Sequence, residues 1–264
     1  MVQVTFIGTG AAFSTRQRTN IALLVQEDDT KLLIECGPAI LFQLGRVDLL
    51  PDQITHLFIS HRHGDHILGL PMFLLMCSLG GASRPLTILG SQDTIQAGHT
   101  LTHTAYPELD GRLECVTWVG MSVGQPDSIE LRSSLRLSTL PVPHSQDAPV
   151  LAVRLDFYKS GRSLVYTGDT IFTEEMAAFA SGCDLLVHEA NFSETLQPDV
   201  KAESYGHSTA RQAGQTAARA DCRVLALVHL SPDYGGCEDQ VRAEAAQVFS
   251  GQIIVPDDGA TLCL

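Results

Sequence analysis

Cysteine pairs of the Cys-x-x-Cys kind are missing from this chain of 264 residues: its seven cysteines, Cys36, Cys77, Cys115, Cys183, Cys222, Cys237 and Cys263, are scattered and odd in number. That spacing argues against a disulfide scaffold and a cysteine-built zinc site, and small apolar roles in a reducing cytosol fit it better. Positive charge is also scarce, with 17 Lys and Arg against 30 Asp and Glu and a formal net charge of −13. Long phosphate backbones are gripped by basic side chains that displace counterions, so a protein devoted to that grip is disfavoured. Bound divalent metal would neutralise some of the acids, and a basic patch can persist on an acidic protein. No apolar run approaches the ~18 residues of a membrane span, and residues 1–7 lack the basic and apolar regions of a secretory signal. A cytoplasmic protein with no membrane partner is expected. Repeats, linkers and low-complexity tracts are absent as well, and a single domain over residues 1–264 is expected.

What is present is concentrated at Ser60-His61-Arg62-His63-Gly64-Asp65-His66, where four possible metal ligands follow the apolar run 54–59. If that run is a strand, His61 and His63 extend it and project to one side, able to hold one cation. A helix then starts near Gly64, with Asp65 and His66 about 100° apart around its axis, aimed at a second point nearby. Packing alone gives no reason to gather three imidazoles and a carboxylate before an apolar helix, although Asp65 as a helix N-cap is the plain alternative. Pro71 marks a kink or the start of a second helical piece.

Strand-like runs fall into two sets: 2–7, 21–25, 31–35, 54–59 and 86–89, then 113–118, 135–140, 150–157, 163–166, 185–187, 224–228 and 253–255. Helical patterns cover 39–44, 65–78, 91–103, 174–180, 208–220 and 238–249. Their order predicts an α+β fold of two mixed sheets packed face to face and covered by helices. Three further donors stand at strand ends: His144, Asp169 in Thr167-Gly168-Asp169-Thr170, and His229. Singly each is weak, since Gly-Asp is a common turn; with the cluster they form a coherent set. His56, His99 and His103 read as surface or strand-edge residues, Arg16 to Arg18 as solvated, His188 as structural and Trp118 as core.

The pattern His-x-His-x-Asp-His, a distant His, an Asp in a Thr-Gly-Asp-Thr turn and a late His resembles the metallo-β-lactamase superfamily. Within it, residues 60–71, His188-Glu189-Ala190-Asn191, Gly206-His207-Ser208-Thr209-Ala210 and His229-Leu230-Ser231-Pro232 resemble ribonuclease Z, the tRNA 3′-processing endonuclease. The resemblance implies a four-layered αββα sandwich and two divalent cations. It implies His61, His63 and His144 on the first cation, Asp65, His66 and His229 on the second, and Asp169 bridging. Two cations about 3.5 to 4 Å apart share a hydroxide and clamp the attacking and leaving oxygens; these donors suit zinc, with manganese or iron compatible. It further implies that Asp65 orients the attacking water and that Glu189 orients His207, which protonates a leaving alkoxide.

Three departures bear on the substrate. The interval between His144 and Asp169 reads as a plain hairpin, with no room for the long arm that grips tRNA in such enzymes. Ser231-Pro232-Asp233-Tyr234 carries an acid where the family has arginine, and Gly37-Pro38-Ala39 replaces an acidic, glutamine-containing turn. The expectation is a metal-dependent phosphodiesterase acting on small molecules or short oligonucleotides, with tRNA disfavoured. The alternatives are true tRNA 3′ processing, hydrolysis of an ester, lactone or sulfate ester, and a non-catalytic binding module. The apolar helix after Asp65 and the resemblance together predict a homodimer.

Overall fold

Runs of β-branched and apolar residues set the strands, and the helices fall where the apolar spacing lengthens. The computed structural model describes residues 1–80, 84–132 and 134–264. They divide into two units, Met1–Met121 with Asp257–Cys263, and Ser122–Pro256 with Leu264.

The first unit holds β1 (Gln3–Gly8), β2 (Ala22–Glu27), β3 (Thr30–Ile34), β4 (His56–Phe58), β5 (Leu86–Ser91), β6 (Val116–Met121) and, at the chain's other end, β14 (Ala260–Cys263). They form one sheet in the order β14-β1-β2-β3-β4-β5-β6, antiparallel as far as β3 and parallel from β3 to β6. Helices α1 (Ile40–Arg46), α2 (Gly64–Ile67), α3 (Leu70–Leu79) and α4 (Gln92–Ala105) belong to the same unit. Leu33, Leu57, Ile67, Leu70, Phe73 and Leu74 share its core. Phe73 is fully buried there, so Phe73→Ala would cost about 3 to 5 kcal/mol. In a parallel sheet the loops leaving the strands' C-terminal ends lie along one edge. Glu35, after β3, and residues 59–66, after β4, leave by that edge.

The second unit holds β7 (Asp127–Arg132), β8 (Leu135–Val142), β9 (Val150–Phe157), β10 (Arg162–Tyr166), β11 (Leu185–Glu189), β12 (Val224–Val228) and β13 (Gln252–Ile254), paired in sequence order. β7 to β10 run antiparallel and β10 to β13 parallel. Its helices are α5 (Glu174–Phe179), α6 (Ala210–Ala220) and α7 (Glu238–Ala245). Since β8, β10, β11 and β12 share a direction, the residues following them meet at one edge: His144, Asp169, Glu189 at the end of β11, and His229.

The structure corrects several sequence expectations. The run 113–118, grouped with the second set, becomes β6 and pairs with β5 in the first sheet. β7 and β14 were not anticipated: β7 carries only two apolar residues, Ile129 and Leu131, and β14 is four residues long. The helix expected over 65–78 is two pieces, as the second of the two roles expected of Pro71 requires: it lies in the first turn of the second piece, where its missing N–H costs nothing. His56 is buried within β4, its Nδ1 2.8 Å from Thr55 Oγ1, whereas His99 and His103 are exposed as expected. Arg18 is buried, donating to Thr9 Oγ1 at 2.6 Å and to Asp257 at 3.2 Å.

Candidate metal centre

In the first unit, β4 ends at Phe58, so His61 and His63 stand in a loop beyond the strand rather than extending it. Their rings still converge, with His61 Nε2 3.0 Å from His63 Nδ1. His63 is the N-cap of α2, and Asp65 lies in the first turn, so Asp65 is not the cap. Its Oδ2 is 3.3 Å from His66 Nε2. The loop is clamped from below by backbone bonds from Cys36 N–H to His66 O at 2.8 Å and from Gly69 N–H to Cys36 O at 2.9 Å. Gly37 permits this approach, because a Cβ there would lie 2.0 Å from Asp65 O.

In the second unit, Asp169 turns one oxygen to each of two histidines: Oδ2 is 3.9 Å from His144 Nε2, and Oδ1 is 3.5 Å from His229 Nε2. One carboxylate thus faces two imidazoles through different oxygens. His207 joins them, its ring centroid 4.7 Å from that of His144 and 5.5 Å from that of His229.

Metal-binding histidines usually give their second nitrogen to a fixed partner, which sets the tautomer and the ring's aim. His61 Nδ1 lies 2.9 Å from Ser60 Oγ, His66 Nδ1 lies 3.3 Å from Glu35 Oε1, and His144 Nδ1 donates to Gly206 O at 2.8 Å. Each leaves Nε2 facing another donor. Gly206 has φ +73, and a Cβ on it would meet His144 O at 2.2 Å, so the residue holding His144 can only be glycine. Zinc takes such donors at about 2.0 to 2.2 Å, which at a tetrahedral angle separates neighbours by about 3.3 Å. The four separations, 3.0 to 3.9 Å, and the imidazole and carboxylate donors fit a divalent cation.

Glu189 is completely buried and accepts from every side. Its Oε1 takes bonds from Thr170 N–H at 3.1 Å, Ser208 N–H at 3.1 Å and His207 Nδ1 at 2.9 Å, and Oε2 takes Asn191 N–H at 3.0 Å. The contact from Nδ1 to Glu189 fixes the tautomer and aim of the His207 ring. Thr209, two residues after His207, caps α6 and closes a capping box with Gln212. His188 is buried, its Nδ1 donating to Glu189 O at 2.7 Å and its Nε2 3.2 Å from Thr216 Oγ1; burial holds its pKa below the ordinary value.

The sequence reading missed Glu35. Its side chain is fully buried, supports His66, and accepts Ser60 N–H at 3.2 Å. Its φ of +71 is an uncommon conformation for a glutamate, and His229 has φ +55. Such backbone costs of order 1 to 3 kcal/mol and persists where surrounding contacts over-determine it. The signal available in the sequence was an acid closing an otherwise apolar strand, Leu32-Leu33-Ile34-Glu35.

Residues 2–205 match the family model of the anti-Pycsar protein Apyc1. A ribonuclease Z of Halorubrum lacusprofundi is 33% identical over 301 aligned positions, covering 98% of this chain and 96% of the relative. The crystal structure of the metallo-β-lactamase-fold protein YhfI from Bacillus subtilis superposes with a TM-score of 0.81 at 26% identity, covering 99% of this chain and 98% of that one. Human tRNase Z, short form, shares the fold at a TM-score of 0.78 and 23% identity, covering 99% and 98%. The fold is therefore the α+β metallo-β-lactamase fold, and its donor sets are those of an enzyme rather than a non-catalytic module. The chain belongs to the anti-Pycsar protein Apyc1 family, among the ribonuclease Z-type metal-dependent hydrolases.

Proposed function

We propose that the chain is a phosphodiesterase of small molecules and short oligonucleotides that works with two divalent cations, zinc in preference to manganese or iron. His61, His63 and His144 would hold one cation, and Asp65, His66 and His229 the other, with Asp169 shared between them. We take residues 1–264 as one hydrolase domain. Bound cations would supply Lewis acidity for the attacking water and charge for the phosphoryl oxygens. Asp65 orients the water, and Glu189 fixes the tautomer of His207, whose Nε2 gives a proton to the departing alkoxide.

The observation that carries this reading is the buried Glu189–His207 pair at 2.9 Å, with His207 against the rings of His144 and His229. Metal donors alone serve ester, lactone or sulfate-ester hydrolysis equally well; a held proton donor is what a poor alkoxide leaving group requires. The interval that would hold a tRNA-gripping arm is occupied by β9, a tight turn and β10, which supports short substrates. The ribonuclease Z relative matched over 98% of the chain supports a second reading, cleavage of precursor tRNA at its 3′ end.

A panel separates these readings. Metal-loaded enzyme should hydrolyse bis(p-nitrophenyl) phosphate and a dinucleotide faster than precursor tRNA, p-nitrophenyl acetate, a lactone or a sulfate ester. Turnover of an ester or lactone with no phosphodiester cleaved at any pH would overturn the proposal, and preferential cleavage of precursor tRNA would establish the second reading. Seven free cysteines support a reducing cytoplasm, and no helix among the described residues is long and apolar enough to cross a membrane. Leu68, Met72, Met76 and Leu79 expose an apolar stripe along α2 and α3 at helical spacing, which supports a homodimer. Light scattering should give twice the chain mass, and Met76→Glu should halve it.

A further inference from the structure

The loop between β1 and β2 is held almost residue by residue. Asn20 is buried and donates Nδ2 to Ala11 O and Ala12 O, both at 3.0 Å, while its Oδ1 accepts Ser14 Oγ at 3.1 Å. Gly10 N–H bonds Thr19 O at 2.7 Å, and Thr15 N–H bonds Arg18 O at 2.7 Å. Thr15 Oγ1 accepts the N–H groups of Gln17 at 3.2 Å and Arg18 at 3.0 Å. Two large side chains nevertheless leave this framework for solvent: Phe13, 76% exposed between the anchored Ala12 and Ser14, and Arg16, exposed at the turn.

Position gives these side chains a target. A Cβ placed on Gly37 would lie 3.1 Å from Asn20 Cβ and 2.0 Å from Asp65 O. The residue that anchors the loop thus sits one side chain's width from the backbone of Asp65, on the loop bearing His61, His63 and His66. A rigid loop beside metal donors that exposes one phenyl ring and one guanidinium offers two complementary contacts. The ring presents a face on which any nucleobase stacks, and the cation meets a phosphate oxygen. In a chain of net charge −13, a cation placed there offsets the repulsion that an anionic substrate meets on approach.

We propose that Phe13 and Arg16 form a nucleoside-binding rim, Phe13 stacking on the base next to the scissile phosphodiester and Arg16 contacting an adjacent phosphate, so that nucleotide diesters are preferred over simple alkyl or aryl diesters. This deepens the phosphodiesterase reading and rests on it. The rim acts by binding, so its loss falls on KM for base-containing substrates. Stacking losses of this kind are between about five-fold and a hundred-fold.

The test has two arms. In the first, holoenzyme Phe13→Trp is titrated with adenosine 5′-monophosphate, which contains no diester to hydrolyse, and with inorganic phosphate. The expected result is quenching of the added tryptophan emission by the nucleotide and not by phosphate. In the second, Phe13→Ala lowers kcat/KM for a dinucleotide relative to methyl p-nitrophenyl phosphate by five-fold to a hundred-fold, through KM, and Arg16→Ala lowers it in a salt-dependent way. No quenching together with equal effects on both diesters would overturn the proposal. A change of oligomeric state in Phe13→Ala would overturn it too, assigning the ring to a protein contact. Quenching by the nucleotide without hydrolysis of any diester would sustain the rim and refute the phosphodiesterase reading.

Discussion

Replacing Glu189 by glutamine separates its role as a proton relay from its role in holding the loops. The carboxylate accepts four N–H donors, three on Oε1 and one on Oε2. Glutamine best preserves the site by placing its carbonyl at Oε1, which turns its amide NH2 against Asn191 N–H. One buried donor then loses its acceptor, at about 1 to 3 kcal/mol. For a chain of this size each kcal/mol moves Tm by about 2 to 4 °C, so a fall of roughly 2 to 12 °C is expected with the fold retained. His207 keeps its place but faces a neutral carbonyl, which stabilises a protonated imidazole less. The rate loss should track the leaving group. A dinucleotide, whose alkoxide must be protonated, should slow by about 10² to 10⁴, while bis(p-nitrophenyl) phosphate, whose phenolate departs unaided, should change far less. Steady-state kinetics on both substrates, beside thermal unfolding and metal analysis, reads every term. Equal losses on the two substrates with full metal content would refute the proton-relay reasoning.

Glu35→Gln keeps the shape under His66 but removes its charge, so divalent metal affinity should fall about 10- to 100-fold, measured by chelator competition on folded protein. His188 should make the fold acid-sensitive. Burial depresses its folded pKa below its ordinary 6.5, so both states are neutral above that value and its contribution is intact. As pH falls below 6.5, the unfolded chain takes up a proton that the folded one does not, and stability is lost until the folded pKa is reached. Denaturant titrations between pH 8 and 5 should show that loss, and His188→Gln should flatten it.

The candidate donors were legible in the sequence because metal chemistry would demand particular residue types at strand ends, and those types are costly to place there otherwise. His61, His63, Asp65 and His66 could be read from spacing alone. His144, Asp169 and His229 needed the whole set for support, since each by itself is an ordinary turn or strand-end residue. Glu35, Ser60 and Gly206 were hidden, because a residue that orients a ligand is recognised only by what it touches. The strand set was legible wherever apolar alternation was strong. It failed at β7, which has only two apolar residues, at β14, which is four residues long, and at His56 and Arg18, where hydrogen bonds to Thr55 and Thr9 compensate burial that composition disfavours.

Metal stoichiometry tests the central claim most directly, by elemental analysis of the parent beside His63→Ala and His229→Ala, each checked for folding by circular dichroism. Two divalent cations per chain are expected in the parent, with loss of one in each folded variant. Unchanged metal content in both variants would contradict the assignment of these side chains as ligands.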